Sequence, residues 1–283
     1  MPANNLVNTK QDVIAALVQR ELLESATLLP LLSDFSSLAI KGSKQIEIPK
    51  LSSFTVADRA FGAAGAENAP LTDSTDVIAI DKNKYIRFGY DAADETQSTI
   101  DYLATAISRA SRAHGRQVNT DIITEWELRA GQNLNGGAPA DITVDNILDM
   151  REFMMENFAD MSRVRLVIAA DQEKALLKLD EFRRFDYRGD GPAPVITGMI
   201  GSVYGIPVVM NQQVKAQQAF MVDPEGCGYA FQRAPAVASD TDLDYGTGGQ
   251  KVVVDQLYGI GGLQLGEGSA AAGFSPLISK LAD

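Results

Sequence analysis

The chain has 283 residues, with 25 Lys and Arg against 37 Asp and Glu, a formal net charge of −12. Its 45% apolar and 22% charged residues are the composition of a folded chain and exclude a wholly disordered one, which needs low hydrophobicity together with high charge. A single Cys (Cys227) and a single His (His114) exclude an intrachain disulfide and a structural zinc cluster, and the acidic balance argues against bulk electrostatic attachment to nucleic acid or anionic lipid.

The first predicted element is a helix. Thr9 and Asp12 open it in a capping-box pattern, and Val13, Ile14, Leu17, Val18 and Leu22 recur on one side at helical spacing. That apolar stripe needs a partner surface. Residues 44–51 and 77–88 alternate polar and apolar and read as strands. Between them, residues 52–76 are rich in Gly, Ala, Ser and Thr around Phe61, Gly62 and Gly65. A long hairpin standing away from the body fits this stretch, and such a ribbon is marginal without something to lie on.

Residues 95–130 contain no proline and predict a helix of roughly 54 Å, stopping at Gly131. Ile100, Leu103, Ile107, Ala110, His114 and Val118 mark its apolar side, with Arg109, Arg112 and Arg116 opposite. Gly115 weakens its middle by about 1 kcal/mol relative to Ala. A Gly/Asn loop over 133–139 follows, then a helix over 144–158 capped by Thr143, a strand over 163–169, and a helix capped by Asp171 and running to Leu179. Residues 183–191 read as a polar loop and 198–209 as two short strands around a turn. Further strands are predicted at 218–222, 228–232 and 250–258, and a small-residue tail ends the chain. The alternation of elements gives α+β or α/β, with no internal repeat and no clean linker.

Few residues invite chemistry. His-based catalysis would have to use His114, which stands on the apolar side of its helix as a core histidine does. Cys227, between two glycines, reads as an inert thiol. Asp240, Asp242 and Asp244 alternate, so an extended backbone would gather three carboxylates on one side as a candidate cation site. The calcium-loop template fails there, because Tyr245 holds the glycine position and Lys251 the terminal glutamate position. The glycine-rich stretches 246–251 and 259–266 lack the spacing of a nucleotide fingerprint. The stripe Arg109, Arg112 and Arg116 reads either as a solvated face paired with acids or as a contact for phosphate or an acidic neighbouring subunit. No run of about 18 apolar residues predicts a membrane span, and residues 1–10 lack a signal-peptide pattern, so a reducing cytosol is the expected setting. No cofactor is expected.

Taken in order, an amphipathic N-terminal arm, a long small-residue hairpin, a helix of about 36 residues, a mixed section, a hairpin built on Gly198, Gly201, Gly205, Ile206, Pro207 and Val208, and a returning last strand resemble the major capsid proteins of tailed bacteriophages. The resemblance covers nearly the whole chain. It implies an α+β fold with an N-arm over 1–35, an extended loop and flanking strands over 36–93, a peripheral domain over 94–139 and 241–283 that holds the spine helix, and an axial domain over 140–240. It further implies a virion shell assembled in the host cytoplasm, pentamers and hexamers of this chain, and a portal. A decoration protein is implied as well. Because the arm begins almost at Met1, a separate scaffolding protein or cleavage of a longer precursor is implied too. Val13, Leu17, Phe61, Gly62 and Gly65 would then meet neighbouring subunits, and Arg109, Arg112 and Arg116 would face the lumen, touching DNA weakly and without sequence preference. No enzymatic role follows. The encapsulin nanocompartment shells share this fold and form the rival reading. A soluble α/β enzyme or binding protein is the second rival.

Overall fold

The computed structural model describes residues 25–51, 73–91, 102–134, 141–157, 159–179, 201–241, 250–263 and 275–281, together with Val18, Leu22, Asp58, Arg59 and Phe61. In chain order the elements are β1 (Ser33–Asp34), β2 (Gln45–Leu51), β3 (Asp73–Ala79), β4 (Lys82–Tyr90), α1 (Tyr102–Arg129), β5 (Ala130–Leu134), α2 (Val144–Glu156), β6 (Arg165–Ile168) and α3 (Ala170–Lys178). They continue with β7 (Ser202–Val203), β8 (Ile206–Met210), β9 (Ala219–Val222), β10 (Cys227–Thr241), β11 (Gln250–Gly262) and β12 (Ser275–Leu281).

The strands form three sheets. A four-stranded sheet runs β1-β10-β11-β4, a six-stranded sheet runs β5-β12-β9-β6-β8-β7, and β2 pairs with β3 as a separate ribbon. The ribbon is the antiparallel hairpin expected from the alternation, in a register from Gln45 opposite Ala79 to Leu51 opposite Asp73. The extended run predicted over 77–88 is two strands, because the chain breaks pairing between Ala79 and Lys82 and passes from the ribbon to the edge of the four-stranded sheet.

The six-stranded sheet is covered on both faces, which is why its strands β6, β8 and β9 read as largely apolar runs. Leu166, Ile168, Ala219, Met221 and Leu281 face α2 and α3 in one cluster with Ile147, Met150, Met154 and Leu176. The alternate positions Val167, Phe220, Val222 and Ile278 face the other way, toward Ile122, Ile123 and Trp126 of α1. That second cluster also takes in Tyr258 and Ile260 of β11, so one core joins the two large sheets. Trp126 and Phe220 meet there with ring centroids 5.7 Å apart.

Four local expectations are corrected. The long helix ends at Arg129, and Ala130–Leu134 is a strand rather than helix end and loop, because β12 offers it a parallel edge. Asp171 does not cap α3; Ala169 holds that position, and the Asp171 carboxylate accepts a hydrogen bond from Gln217 N at 2.6 Å, tying the loop before β9 to the helix. The strand predicted over 228–232 runs instead for 15 residues, held along its length by β11 and bent by register shifts near Arg233. The small-residue tail contains β12, which lies between β5 and β9. Thr143 does cap α2, in a capping box with Asn146. The predicted helix start over 94–101 lies outside the described residues.

Candidate functional site: assembly surfaces

The N-terminal segment is built onto α1. Val18 packs with Ile107, Ala110 and Val254, and Leu22 joins the main core, both essentially without exposure. The crossing is close at Gly115: a Cβ there would overlap the Ser25 hydroxyl and lie 3.0 Å from the Leu22 carbonyl oxygen. Asn119, one turn further along α1, secures the same segment. Its Oδ1 accepts from Leu28 N at 3.2 Å, and its Nδ2 donates to Ser25 O at 3.1 Å. Asn211, after β8, donates to Thr27 Oγ1 at 2.9 Å. Sequence reading missed these two asparagines as clamps. The available signal was a glycine and an asparagine in mid-helix, where both are poor helix formers. The partner surface that the arm's apolar stripe needs is therefore, for Val18 and Leu22, supplied by the chain's own body rather than by a neighbouring subunit. The candidate contact residues Val13 and Leu17 lie outside the described residues.

The ribbon is likewise rooted in its own body. Ile46, Ile48 and Ile78 pack with Ala230 and Leu263. The glycine-rich stretch after Tyr258 serves this contact: a Cβ at Gly259 would overlap the Ala79 carbonyl, and one at Gly261 would lie 3.2 Å from Ile78 Cα. These glycines let two backbones touch. Of the candidate contact residues in the ribbon, Phe61 is fully exposed, while Gly62 and Gly65 lie outside the described residues.

The basic stripe is where the spacing put it. With α1 covered by β11 on one side and by the N-terminal segment on another, a narrow exposed line remains along Arg109, Arg112, Arg116, Thr120 and Thr124. The two threonines bond back to the carbonyls of Arg116 and Thr120 at 3.0 and 2.9 Å. Arg112 and Arg116 also line a cleft of about 270 Å³ with Asn119, Asn211, Gln212 and Gln213; Arg109 stands outside it.

The single histidine and the single cysteine are both buried in structural contacts. His114 is buried, and its Nε2 donates to the Val254 carbonyl oxygen at 3.2 Å. Burial holds its pKa below the ordinary imidazole value, against that hydrogen bond and the nearby Asp255. Cys227 is a buried thiol whose pKa burial drives far upward, away from nucleophilic use. Asp240 is exposed on β10 in register with Lys251, and Asp242 and Asp244 lie outside the described residues. Among the described residues, no group of three His, Cys, Asp or Glu side chains is placed to hold a metal ion, and no helix is long and apolar enough to cross a membrane.

No family model matches the sequence, and no curated protein matches it. Solved structures do. The chain is similar to one from Mycobacterium phage Che8, with a TM-score of 0.72 at 18% identity over 89% of each chain. It is similar to a chain of the mature capsid of bacteriophage PhiM1, with a TM-score of 0.66 at 16% identity over 89% of this chain and 85% of that one. A third likeness is to the capsid of the cyanophage P-SCSP1u, with a TM-score of 0.70 at 14% identity over 89% of this chain and 86% of that one. At these identities the likeness is one of fold: the chain has the mixed α+β fold seen in tailed-phage capsids.

Proposed function

We propose that this chain is the major capsid protein of a tailed bacteriophage, self-assembling into the icosahedral shell that encloses a double-stranded DNA genome. The observation that carries the reading is the fold likeness over about nine-tenths of the chain to chains of phage capsids. In this reading residues 1–35 are the N-arm and 36–93 the extended loop. The peripheral domain over 94–139 and 241–283 carries α1 as its spine, and 140–240 form the axial domain, with β5, β10 and β12 lacing the two together. Pentamers and hexamers of the chain make the shell, with a portal at one vertex, a scaffolding protein during assembly in the host cytoplasm, and a decoration protein outside.

Exposed Phe61 and its neighbours Gly62 and Gly65, with Val13 and Leu17 in the arm, are the proposed subunit contacts. Burial at about 25 cal/mol per Å² makes each overlap worth several kcal/mol gross, before ordering costs, and symmetry multiplies it over every copy. The role asks for no catalysis. The net charge of −12 suits a wall that must let DNA slide during packaging and ejection, with the basic stripe turned to the lumen.

Electron microscopy of purified material is the test. Icosahedral particles that contain DNA are expected. Particles holding a packaged enzyme instead of DNA would establish the nanocompartment reading. A species of one to four copies by light scattering, with no particles under any assembly condition, would establish a soluble enzyme or binding protein.

A further inference from the structure

Two pairs of exposed apolar side chains stand in different parts of the fold, each beside charges of one sign. The first pair is on the turn that leads into β2. Leu38 is 52% exposed and Ile40 71% exposed, on either side of Ala39, which packs against the ribbon cluster. Lys41 and Lys44 are exposed beside them, and no acidic residue lies between Leu38 and Lys44. The turn is held in shape. Gly42 takes a φ of +99°, Ser43 N donates to Ile40 O at 3.1 Å, and Gln232 Nε2 of β10 donates to the carbonyl oxygens of Ile40 and Ser43 at 2.8 Å each. Leu38 and Ile40 are therefore presented ready-made, which lowers the ordering cost of binding.

The second pair is on α2. That helix faces the six-stranded sheet through Ile147, Met150 and Met154. Its outer side carries Leu148 and Met155, 41% and 55% exposed, beside an exposed line of Asp145, Asp149, Glu152 and Glu156. Helical periodicity puts these six positions on one side. In isolation the arrangement is unfavourable. The acids are one another's neighbours three and four positions apart, which weakens a helix. Glu156 lies in a last turn without a basic residue, against the macrodipole. Arg151, the one basic residue of α2, stands three and four positions from Leu148 and Met155 and not from any of the acids. Among the described residues, none of the four acids and neither lysine is in an ion pair.

We infer that these two surfaces meet between copies. The turn over residues 38–44 of one subunit docks on the outer side of α2 of the next, with Leu38 and Ile40 against Leu148 and Met155, and Lys41 and Lys44 against the acidic line. The inference rests on the shell reading for why copies assemble, and adds a contact separate from the arm and the ribbon tip. A second copy is the occupant because each surface supplies what the other lacks. Apolar side chains meet apolar ones, and unpaired cations meet unpaired anions, a complementarity that fixes register and suppresses wrong partners. A polyanion would be repelled by α2, and two copies of α2 face to face would bring like charges together. The two surfaces are unlike, so the contact is heterologous, the type that closes rings.

The test uses the full chain, with circular dichroism melts to confirm that each variant folds. Lys41→Glu with Lys44→Glu should raise the subunit concentration needed for assembly by roughly tenfold or more, since like charges then face each other. Asp149→Lys with Glu152→Lys should do the same, although it relieves α2 of like-charged neighbours and should melt no lower than the parent. All four substitutions in one chain restore opposite charges and should recover most of the loss. Ile40→Cys with Leu148→Cys, treated with a short flexible bis-maleimide, should give ladders of linked copies, whereas either cysteine alone should not; Cys227 is buried and does not compete. An unchanged threshold in either double charge variant, no recovery in the fourfold variant, or no ladder would each overturn the inference. Dimers from either single cysteine variant would overturn it in favour of a two-fold contact between like surfaces. Parent particles whose threshold the charge variants leave unmoved defeat the contact alone. A parent chain that makes no particles but still gives ladders defeats the shell reading alone, and one that gives neither defeats both.

Discussion

His114 can be followed through its titration because the chain has no other histidine. Burial lowers its folded pKa below the ordinary value of about 6.5. Between those two values the unfolded chain binds a proton that the folded chain does not. Stability is therefore full above about pH 6.5 and falls as pH drops through the window toward the folded pKa. His114→Gln should flatten that part of the pH dependence, read as urea midpoints between pH 7.5 and 5.5; an unchanged slope would place its origin elsewhere. Asp223 works with the opposite sign. It is buried, desolvation raises its carboxyl pKa, and the Arg163 guanidinium 3.9 Å away does not restore it. Its share of stability is present in acid and lost as pH rises through the raised folded value. Gly115 makes a different residue-scale point. By helix propensity, Gly115→Ala should gain about 1 kcal/mol. The crossing with Ser25 and the Leu22 carbonyl predicts instead a net loss, since overpacking costs about 1–3 kcal/mol. Adding Ser25→Gly should recover part of it, so that the two substitutions are non-additive in denaturant melts.

At the scale of elements, the ribbon is held by the isoleucine cluster and by close backbone approaches at Gly259 and Gly261, of which the one at Gly259 is the tighter. Gly259→Ala sets a methyl against the Ala79 carbonyl, and neither side of that contact can move as a flexible side chain could. Amide exchange over β2 and β3 should rise well before exchange in α2 or β6, whereas uniform loosening would mean that the ribbon and the body are one cooperative unit. Deleting residues 52–72 spares both ribbon strands and should leave the melting of the body nearly unchanged while abolishing particles in negative stain. Intact shells from that deletion would remove the ribbon from the list of assembly surfaces. The ribbon was legible in the sequence because Ile46 and Ile48 alternate with Gln45 and Glu47, and the β-branched Val77 and Ile78 fit an extended chain. The stripe was legible because helical spacing alone puts three arginines on a line. Two things were hidden. The end of α1 depends on an edge supplied by residues 275–281, far away in sequence, and Ser275–Leu281 mixes Ser, Pro and Lys with its apolar residues, which local pattern cannot distinguish from a tail. The cleft was hidden too, since its walls come from three remote segments and its asparagines look like ordinary polar residues until the N-terminal segment lies across them.

For the molecule as a whole, the charge sets the terms of association. Copies carrying −12 each repel at a distance. Raising salt from about 0.01 to 0.15 M shortens the screening length from about 30 to 8 Å. Assembly followed by light scattering should accelerate over that range, and a slowing would show that paired charges between subunits outweigh the net repulsion. The two large sheets share one core through α1, Phe220 and Tyr258, so neither half has a complete interior of its own. The placing of β12 sharpens this. It separates β5 from β9, yet it is translated after every other strand of that sheet. A nascent chain still on the ribosome with Ser275–Leu281 unmade has both neighbouring edges raw and the spine unanchored at its far end. In the proposed shell reading, a copy truncated before Ser275 should therefore be missing from particles, which mass spectrometry of purified shells would check.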